Sequence, residues 1–365
     1  MIRVLQAIGS LYLGGSQTMV MNLYRNIDRS RMQFDFIIDH TVDMDFEEEI
    51  KRLGGRIYIM PTFKGYNIVE VVKAWNEFFD SHPEYKVLHS HVRSYASVYL
   101  PIAKKHGVKT VIHSHSTSNG SGFSALVKQI MQYPLRYQAD CYLSCSERAG
   151  KWLFGEKVVA GDKFQILQNA IDIKEYQYNE EARDRIRKEL NMDNEVLLGH
   201  VGRFHESKNP IFLLEVFHQI HCRMPNSRLA MVGDGDLRCK IEEKIRQLQL
   251  EDAVYLLGTR SDVKMILQAM DCFLFPSCWE GVPVTVIEAQ AAGLPCFVSD
   301  TVTKDVGASE LVHYLPIDQG TEPWVKAITE DKLERKNVAK EIRQAGFDIT
   351  STSKCLMDLY MELLK

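Results

Sequence analysis

Blocks of apolar residues bounded by glycine, proline or polar clusters recur along the chain, and their lengths divide it into alternating strands and helices. Short apolar runs at Ile2–Ile8, Phe34–Ile38, Arg56–Met60, Lys86–Ser90, Thr110–His113, Asp140–Cys145 and Phe164–Leu167 predict buried strands. Between them apolar positions fall at helical spacing, as over Gln17–Arg25, Asp45–Leu53, Ile68–Asp80 and Ala96–His106. Strands alternating with helices imply crossover connections and a mostly parallel sheet covered on both faces. Gln168-Asn169-Ala170-Ile171-Asp172 then leads into a stretch rich in Tyr and Glu, Ile173–Glu181, which reads as an interdomain linker. The alternation restarts with Val196–Arg203 and gives strands at Arg228–Val232, Ala253–Leu257, Cys272–Phe275, Pro295–Ser299 and Val312–Leu315. Helices are expected at Leu237–Leu248, Val263–Met270 and Pro283–Ala292, the last ended by Gly293. The tail from Ser353 to Lys365 is helical, with Leu356, Leu359, Tyr360 and Leu363 on one face. Two α/β halves imply a cleft between them, where ligands of open parallel sheets bind.

Composition narrows this picture without changing it. A chain of 365 residues fits two domains of about 150–200 residues each. With 45% hydrophobic and 25% charged residues and a formal charge of −4, it has ordinary globular composition and no basic field for nucleic acid. None of the eight cysteines forms a C-x-x-C pair, so buried reduced thiols are expected rather than disulfides or zinc. The N-terminal apolar run is too short for a signal peptide, and no run is long enough to span a membrane. A cytoplasmic protein is expected; no feature assigns an oligomeric state.

Candidate chemistry gathers around Phe275–Ala289. The run Cys272–Phe275 stops at Pro276, a loop holding Glu280 and Gly281 follows, and Pro283 is expected as the first helical residue. Free N–H groups at such a helix start form an anion site favoured by the helix dipole. Glu280 precedes that socket, and Glu288 lies about one and a half turns inside the helix. A phosphate socket flanked by two acceptors for hydroxyls suits a nucleotide sugar. Gly202-Arg203 at a strand end and Lys208 at the next helix start add two cations able to neutralise a diphosphate. Ser207 or Asn209 is the expected cap there, with Pro210 as first residue. Gly233-Asp234-Gly235-Asp236 reads as a glycine turn with Asp236 as helix cap, not as a metal site.

In the first half, Gly14-Gly15 lies in a strand–turn–helix element without dinucleotide-binding spacing. It is either a plain tight turn or a point of close approach to a ligand. His89 and His91 close one strand, His113 and His115 another, and each pair shares a face. Hydrogen bonding to substrate hydroxyls is expected of them, ahead of zinc. Residues 123–137 mix apolar, aromatic and basic side chains without acids. They fit either an anionic membrane surface or a buried helix snorkelling two cations, with the buried helix preferred.

Together these motifs resemble the family-four retaining glycosyltransferases, which use nucleotide sugars and have the GT-B fold of two Rossmann-like domains facing each other across a cleft. The resemblance rests on Gly14-Gly15, His113-Ser114-His115, Asn169 with Asp172, Gly202-Arg203 with Lys208, Gly233-Asp234-Gly235, and Glu280 with Glu288 eight positions later. Bacterial enzymes of exopolysaccharide or capsule synthesis are the most similar. The resemblance implies that Arg203 and Lys208 hold the donor diphosphate, that Glu288 accepts from ribose, and that Glu280 contacts the transferred sugar. Gly202, Gly233 and the segment Gly281, Val282, Pro283 and Val284 would line the donor, with the base near Arg260 and Val263. His115 would sit beside the reacting sugar with His113 as fallback, and Gly15 would admit the phosphate and acceptor. Gly14, His91, His113 and Asn169 are acceptor-side candidates. The donor is expected to be UDP-linked and the acceptor a saccharide or lipid-linked saccharide; no metal or other cofactor is expected. The C-terminal helix would return to the first domain, giving bounds of 1–172 plus about 345–365, and 173–344. Asn169-Ala170 departs from the more usual Asn-Gly, and Gln17 from the residue in several relatives.

Three rivals share parts of this pattern. A glycosidase would need Glu280 and Glu288 about 5 Å apart, closer than a loop and helix eight positions apart suggest. A nucleotide-sugar epimerase would use the same fold and donor, and a non-catalytic protein could bind the sugar nucleotide alone. The Glu280-Gly281-Val282-Pro283 pattern favours transfer.

Overall fold

The structure, a computed structural model, describes residues 1–12, 14–42, 44–115 and 123–365. It contains two compact units, Met1–Ala170 with Ile349–Lys365, and Ile171–Asp348. The boundaries fall at Ala170 rather than Asp172, and at Asp348 rather than near 345.

The first unit holds β1 (Ile2–Ala7), β2 (Met32–Ile38), β3 (Ile57–Ile59), β4 (Val87–Ser90), β5 (Lys109–Ser114), β6 (Cys141–Ser144) and β7 (Phe164–Ile166). They form one parallel sheet in the order β3-β2-β1-β4-β5-β6-β7. The second unit holds β8 (Val196–Val201), β9 (Ser227–Val232), β10 (Val254–Gly258), β11 (Cys272–Phe275), β12 (Cys296–Ser299) and β13 (Val312–Leu315). Their order, β10-β9-β8-β11-β12-β13, repeats the same winding, again all parallel. In each sheet the order reverses beside the first strand, so the loops after β1 and β4, and after β8 and β11, diverge at the carboxyl edge. Such switch points are where open α/β sheets hold ligands.

Strands buried on both faces explain the continuous apolar runs: every residue of β2 is buried. That includes Asp35, whose carboxylate receives a forked pair of bonds from Arg3, the Tyr85 hydroxyl at 2.7 Å and the Arg56 N–H at 2.7 Å. Full pairing is what makes a buried charge tolerable. The helix Ile349–Leu363 returns to this unit and packs on the helix Gly15–Asn26. Its Leu356, Leu359 and Tyr360 join the core of Val4, Val20 and Phe34. Pro101 lies inside the helix Ala96–Lys105, where it cannot bond the Ser97 carbonyl; Gln138 Nε2 donates to that oxygen instead, at 3.3 Å.

Several local expectations shift. The first helix starts at Gly15, not Gln17, because Gly14 takes the extended cap position. The segment 123–137 is the helix Phe123–Gln132 followed by a 3-10 turn, Tyr133–Tyr137. Leu126, Val127, Ile130, Tyr133 and Tyr137 are exposed, so this is not the preferred buried helix; Gln132 and Leu135 are buried and Met131 packs against the core. Among the cysteines, Cys141, Cys145, Cys272 and Cys296 are buried, whereas Cys222, Cys239 and Cys355 are exposed.

Candidate functional site

At the carboxyl edge of the second sheet, the loops after β8, β9 and β11 are locked together by backbone. Gly202 N–H donates to Val232 at 3.0 Å, and Gly233 N–H to Gly258 at 2.8 Å. Gly233 has φ +137, and a Cβ there would lie 2.1 Å from the Gly202 carbonyl oxygen, so only glycine fits the approach. Asn209 takes the left-handed conformation (φ 54, ψ 48) and Pro210 begins the helix Pro210–Arg223, which fixes the direction of Lys208. Asn209 thus occupies the cap position, though its side chain makes no capping bond.

Lys208 Nζ lies 2.6 Å from Glu280 Oε1 and 4.7 Å from the centre of the Phe275 ring. Both partners of the ion pair are largely enclosed, with side chains 18% and 15% exposed. Cys278 N–H donates to Ser207 at 2.8 Å, tying the loop that carries Glu280 to the one that carries Lys208. Arg203 by contrast is exposed and meets Asp236 at 3.1 Å. A surface pair of that kind is worth well under a hydrogen bond's full strength, so Arg203 is free to turn to a ligand. Asp236 therefore does not cap the next helix: that helix begins at Arg238 with no side-chain cap, and the carboxylate serves Arg203.

The helix after Glu280 spans Val284–Ala291, one residue later than expected. Pro283 sits at the cap position because its ψ of 108 is extended rather than helical. No acidic residue lies in the first turn, so no side chain of the helix's own start neutralises its positive end. Val282 is buried beside it, and Gly281 is half-buried. Gly293 closes the helix with φ +80 and N–H bonded to Gln290 at 2.8 Å. Glu288 projects from the half-buried face and accepts from the Tyr176 hydroxyl at 2.8 Å. Burial raises its carboxyl above the ordinary value, opposed by the Tyr176 bond. Arg260 is clamped in a fork on Asp262, 2.8 Å at each arm, and by Glu189 at 2.9 Å, next to Val263 at the start of the helix Val263–Ala269.

In the first unit, Gly14 packs so closely on Tyr12 that a Cβ would lie 2.5 Å from its ring, while nothing lies within 4 Å of the corresponding point on Gly15. The four histidines form a column of rings. Centroids are 4.2 Å apart for His89 and His91, 5.1 Å for His91 and His115, and 4.0 Å for His113 and His115. His89, His91 and His113 are buried; His115, one residue past β5, is half-buried. The acceptor-side candidates His91 and His113 are thus enclosed rather than laid open along the sheet edge. Burial holds all four neutral: His89 and His115 fall to about 3, and His91 and His113 well below their ordinary value. Ring nitrogens of His89, His91 and His113 lie within 4.8 Å of one another, a donor set that could hold a metal. Of these rings only His89 and His113 stack, 8° from parallel, and His91 is tilted by 33° and 39° to them. Asn169 Oδ1 is buried and has no partner among the described residues.

Sequence reasoning missed Tyr176, which orients Glu288, and Gln6 and Tyr360, which bond the histidines. Each looks like an ordinary core or helix-face residue, and only the fold brings it to its partner.

The raised carboxyl of Glu288 makes a stability prediction. An acid raised by folding contributes stability in full below its ordinary value of 4.5 and loses it as pH rises through the raised value. Glu288→Gln keeps an acceptor for Tyr176 and removes the buried charge. At pH 7 its melting temperature should exceed that of wild type, by about 2–4 °C for each kcal/mol relieved. The gap should close below pH 4.5, which thermal denaturation across pH will show.

Comparison with known proteins agrees with this architecture. The family model described as Glycosyltransferase Family 4 matches residues 13–175, and that described as Glycosyl transferases group 1 matches residues 182–310. EpsF of Bacillus subtilis (strain 168), named as a glycosyltransferase, is 32% identical over 98% of this chain and 96% of its own. The UDP-Gal:alpha-D-GlcNAc-diphosphoundecaprenol alpha-1,3-galactosyltransferase of Escherichia coli is 27% identical over 85% of this chain and 84% of its own. The crystal structure of Anabaena HepE with UDP and glucose matches with a TM-score of 0.79 at 17% identity, covering 99% of this chain and 100% of that one; at such identity it speaks for the fold. The chain therefore belongs to the family 4 glycosyltransferases, built as two Rossmann-like units of the GT-B type.

Proposed function

We propose that this glycosyltransferase moves a hexose-type sugar from a UDP-sugar to a saccharide or lipid-linked saccharide acceptor, with retained anomeric configuration, in surface polysaccharide synthesis. The observation that carries this reading is the enclosed Lys208–Glu280 pair at the start of a helix with no acid in its first turn. A donor diphosphate draws Lys208 off Glu280 and Arg203 off Asp236. The freed Glu280 then accepts from hydroxyls of the sugar, and Glu288 from the ribose. Gly202 and Gly233 leave room for the phosphates, the amides of Gly281, Val282 and Val284 bind them or the sugar, and the base lies near Arg260 and Val263. In the first unit, His115 serves the reacting sugar, and Gly14, Gly15 and Asn169 the acceptor. The UDP in the name of the Escherichia coli relative and in the HepE crystals supports the donor, and the relative's diphosphoundecaprenol supports a lipid-linked acceptor.

In the transfer, the bond from the anomeric carbon to the β-phosphate oxygen breaks. The acceptor oxygen bonds to that carbon on the same face, and its proton passes to the departing phosphate. The protein's share is to stabilise the charge that develops on the leaving diphosphate. Lys208, Arg203 and the helix start supply the positive countercharge, so the reading assigns the step no metal. Membership of a glycosyltransferase family weighs against the epimerase and glycosidase alternatives.

No helix among the described residues is long and apolar enough to cross a membrane. The exposed strip of Leu126, Val127, Ile130, Tyr133 and Tyr137, with Lys128 on the same segment, fits a peripheral contact at the inner face of an anionic membrane.

With a panel of UDP-hexoses and lipid-linked saccharides, UDP release should depend on the acceptor. Lys208→Met should lower kcat about 10²–10³-fold, the size of losing one preorganised charge contact, with the fold intact by circular dichroism. Acceptor-independent release of free sugar nucleotide isomers would instead favour an epimerase. Ile130→Glu should weaken binding to phosphatidylglycerol vesicles about tenfold, as expected for one lost aliphatic anchor, and leave turnover of a water-soluble acceptor unchanged.

A further inference from the structure

The histidine column is joined to the C-terminal helix by one continuous run of hydrogen bonds. It passes from His115 Nε2 to His91 Nδ1 at 2.8 Å, from His91 Nε2 to Gln6 Oε1 at 2.9 Å, from Gln6 Nε2 to the Tyr360 hydroxyl at 3.3 Å, and from that hydroxyl to His89 Nδ1 at 2.5 Å. The three imidazoles are neutral, so each carries one N–H and one bare nitrogen. Donor and acceptor must therefore alternate along the run, and one choice of direction sets every proton in it. Two directions are self-consistent, since an amide and a hydroxyl can each turn round.

The bond lengths choose between them. Hydrogen bonds donated by hydroxyls are shorter than those donated by N–H groups. The 2.5 Å contact is that of Tyr360 donating to His89, and the 3.3 Å contact that of the Gln6 amide donating to Tyr360. With its proton given to His89, the Tyr360 oxygen accepts from Gln6. The Gln6 carbonyl then accepts from His91 Nε2–H, and His91 Nδ1 accepts from His115 Nε2–H. His115 is left with a bare Nδ1, buried and without a partner among the described residues.

We propose that Tyr360, Gln6 and His91 are positioning residues that hold His115 as its Nε2–H tautomer, so that its free nitrogen can only accept a hydrogen bond. A ligand at that nitrogen must then offer a hydroxyl; a phosphate or carbonyl oxygen would meet a lone pair. The opposite tautomer would invert this choice. The inference deepens the assignment of His115 to the reacting sugar and rests on it for the ligand, but the tautomer itself does not. A cation on His89, His91 and His113 would compete for the same atoms, because the run uses both nitrogens of His91 and leaves His89 Nε2 protonated.

Nitrogen NMR of histidine-labelled, ligand-free protein reads the tautomer directly. Wild type should show His115 protonated at Nε2. Tyr360→Phe, and independently Gln6→Met, should lower the ratio of that tautomer to the other about tenfold, the bias of one hydrogen bond. Gln6→Glu should retain it, because a carboxylate still accepts from His91. His115 protonated at Nδ1 in wild type, an unchanged tautomer in both Tyr360→Phe and Gln6→Met, or a stoichiometric metal ion co-purifying on the histidines would each overturn the proposal. With UDP-glucose and a lipid-linked saccharide acceptor as probes, Tyr360→Phe should lower kcat for UDP release with KM little changed. If wild type turns over no UDP-hexose while the tautomer behaves as stated, the sugar assignment falls and the positioning role stands.

Discussion

The second unit encloses a positive charge, Lys208, and neutralises it with the carboxylate of Glu280. The Lys208–Glu280 pair lies at the switch point of its sheet, where the loops after β8 and β11 part. Neither residue could be enclosed there alone, since an unpaired charge away from water is costly. The pair therefore dictates its surroundings: the left-handed Asn209 that turns Lys208 inward, the Phe275 ring beneath it, and the backbone bond from Cys278 to Ser207. On the proposed reading it also makes the site responsive, because an incoming diphosphate would replace one counter-ion with another.

The first unit solves the opposite problem. Its switch point, between β1 and β4, is filled with neutral imidazoles that burial keeps uncharged. Neutral rings can stack and can hold the C-terminal helix through Tyr360. The same winding of strands thus carries a charged site in one unit and a hydrogen-bonding one in the other. The difference lies in a few side chains at the strand ends.

Much of this was legible from residue order. Apolar runs gave every strand of both sheets to within a few residues; the central strands, buried on both faces, leave no polar alternation to confuse the reading. Gly293 marked a helix end because only glycine takes its φ of +80 without strain. Pro283 and Asp236 were misplaced by their intrinsic preferences: each suits a helix start, but Pro283 takes an extended ψ and Asp236 pairs with Arg203, and each helix begins a residue later. The exposed face of residues 126–137 could not be told from a buried one, since periodicity records amphipathicity and not what covers it. Tyr176, Gln6 and Tyr360 carried no signal at all, because their partners lie 112, 85 and 271 positions away in sequence.

If Lys208 is held by Glu280 until a diphosphate displaces it, removing the carboxylate must not harm diphosphate binding. Calorimetric titration of UDP into Glu280→Gln, beside wild type and Lys208→Met, tests this most directly. The account predicts UDP binding as tight as wild type or tighter in Glu280→Gln, and weaker in Lys208→Met. UDP binding lost in Glu280→Gln but retained in Lys208→Met would contradict it.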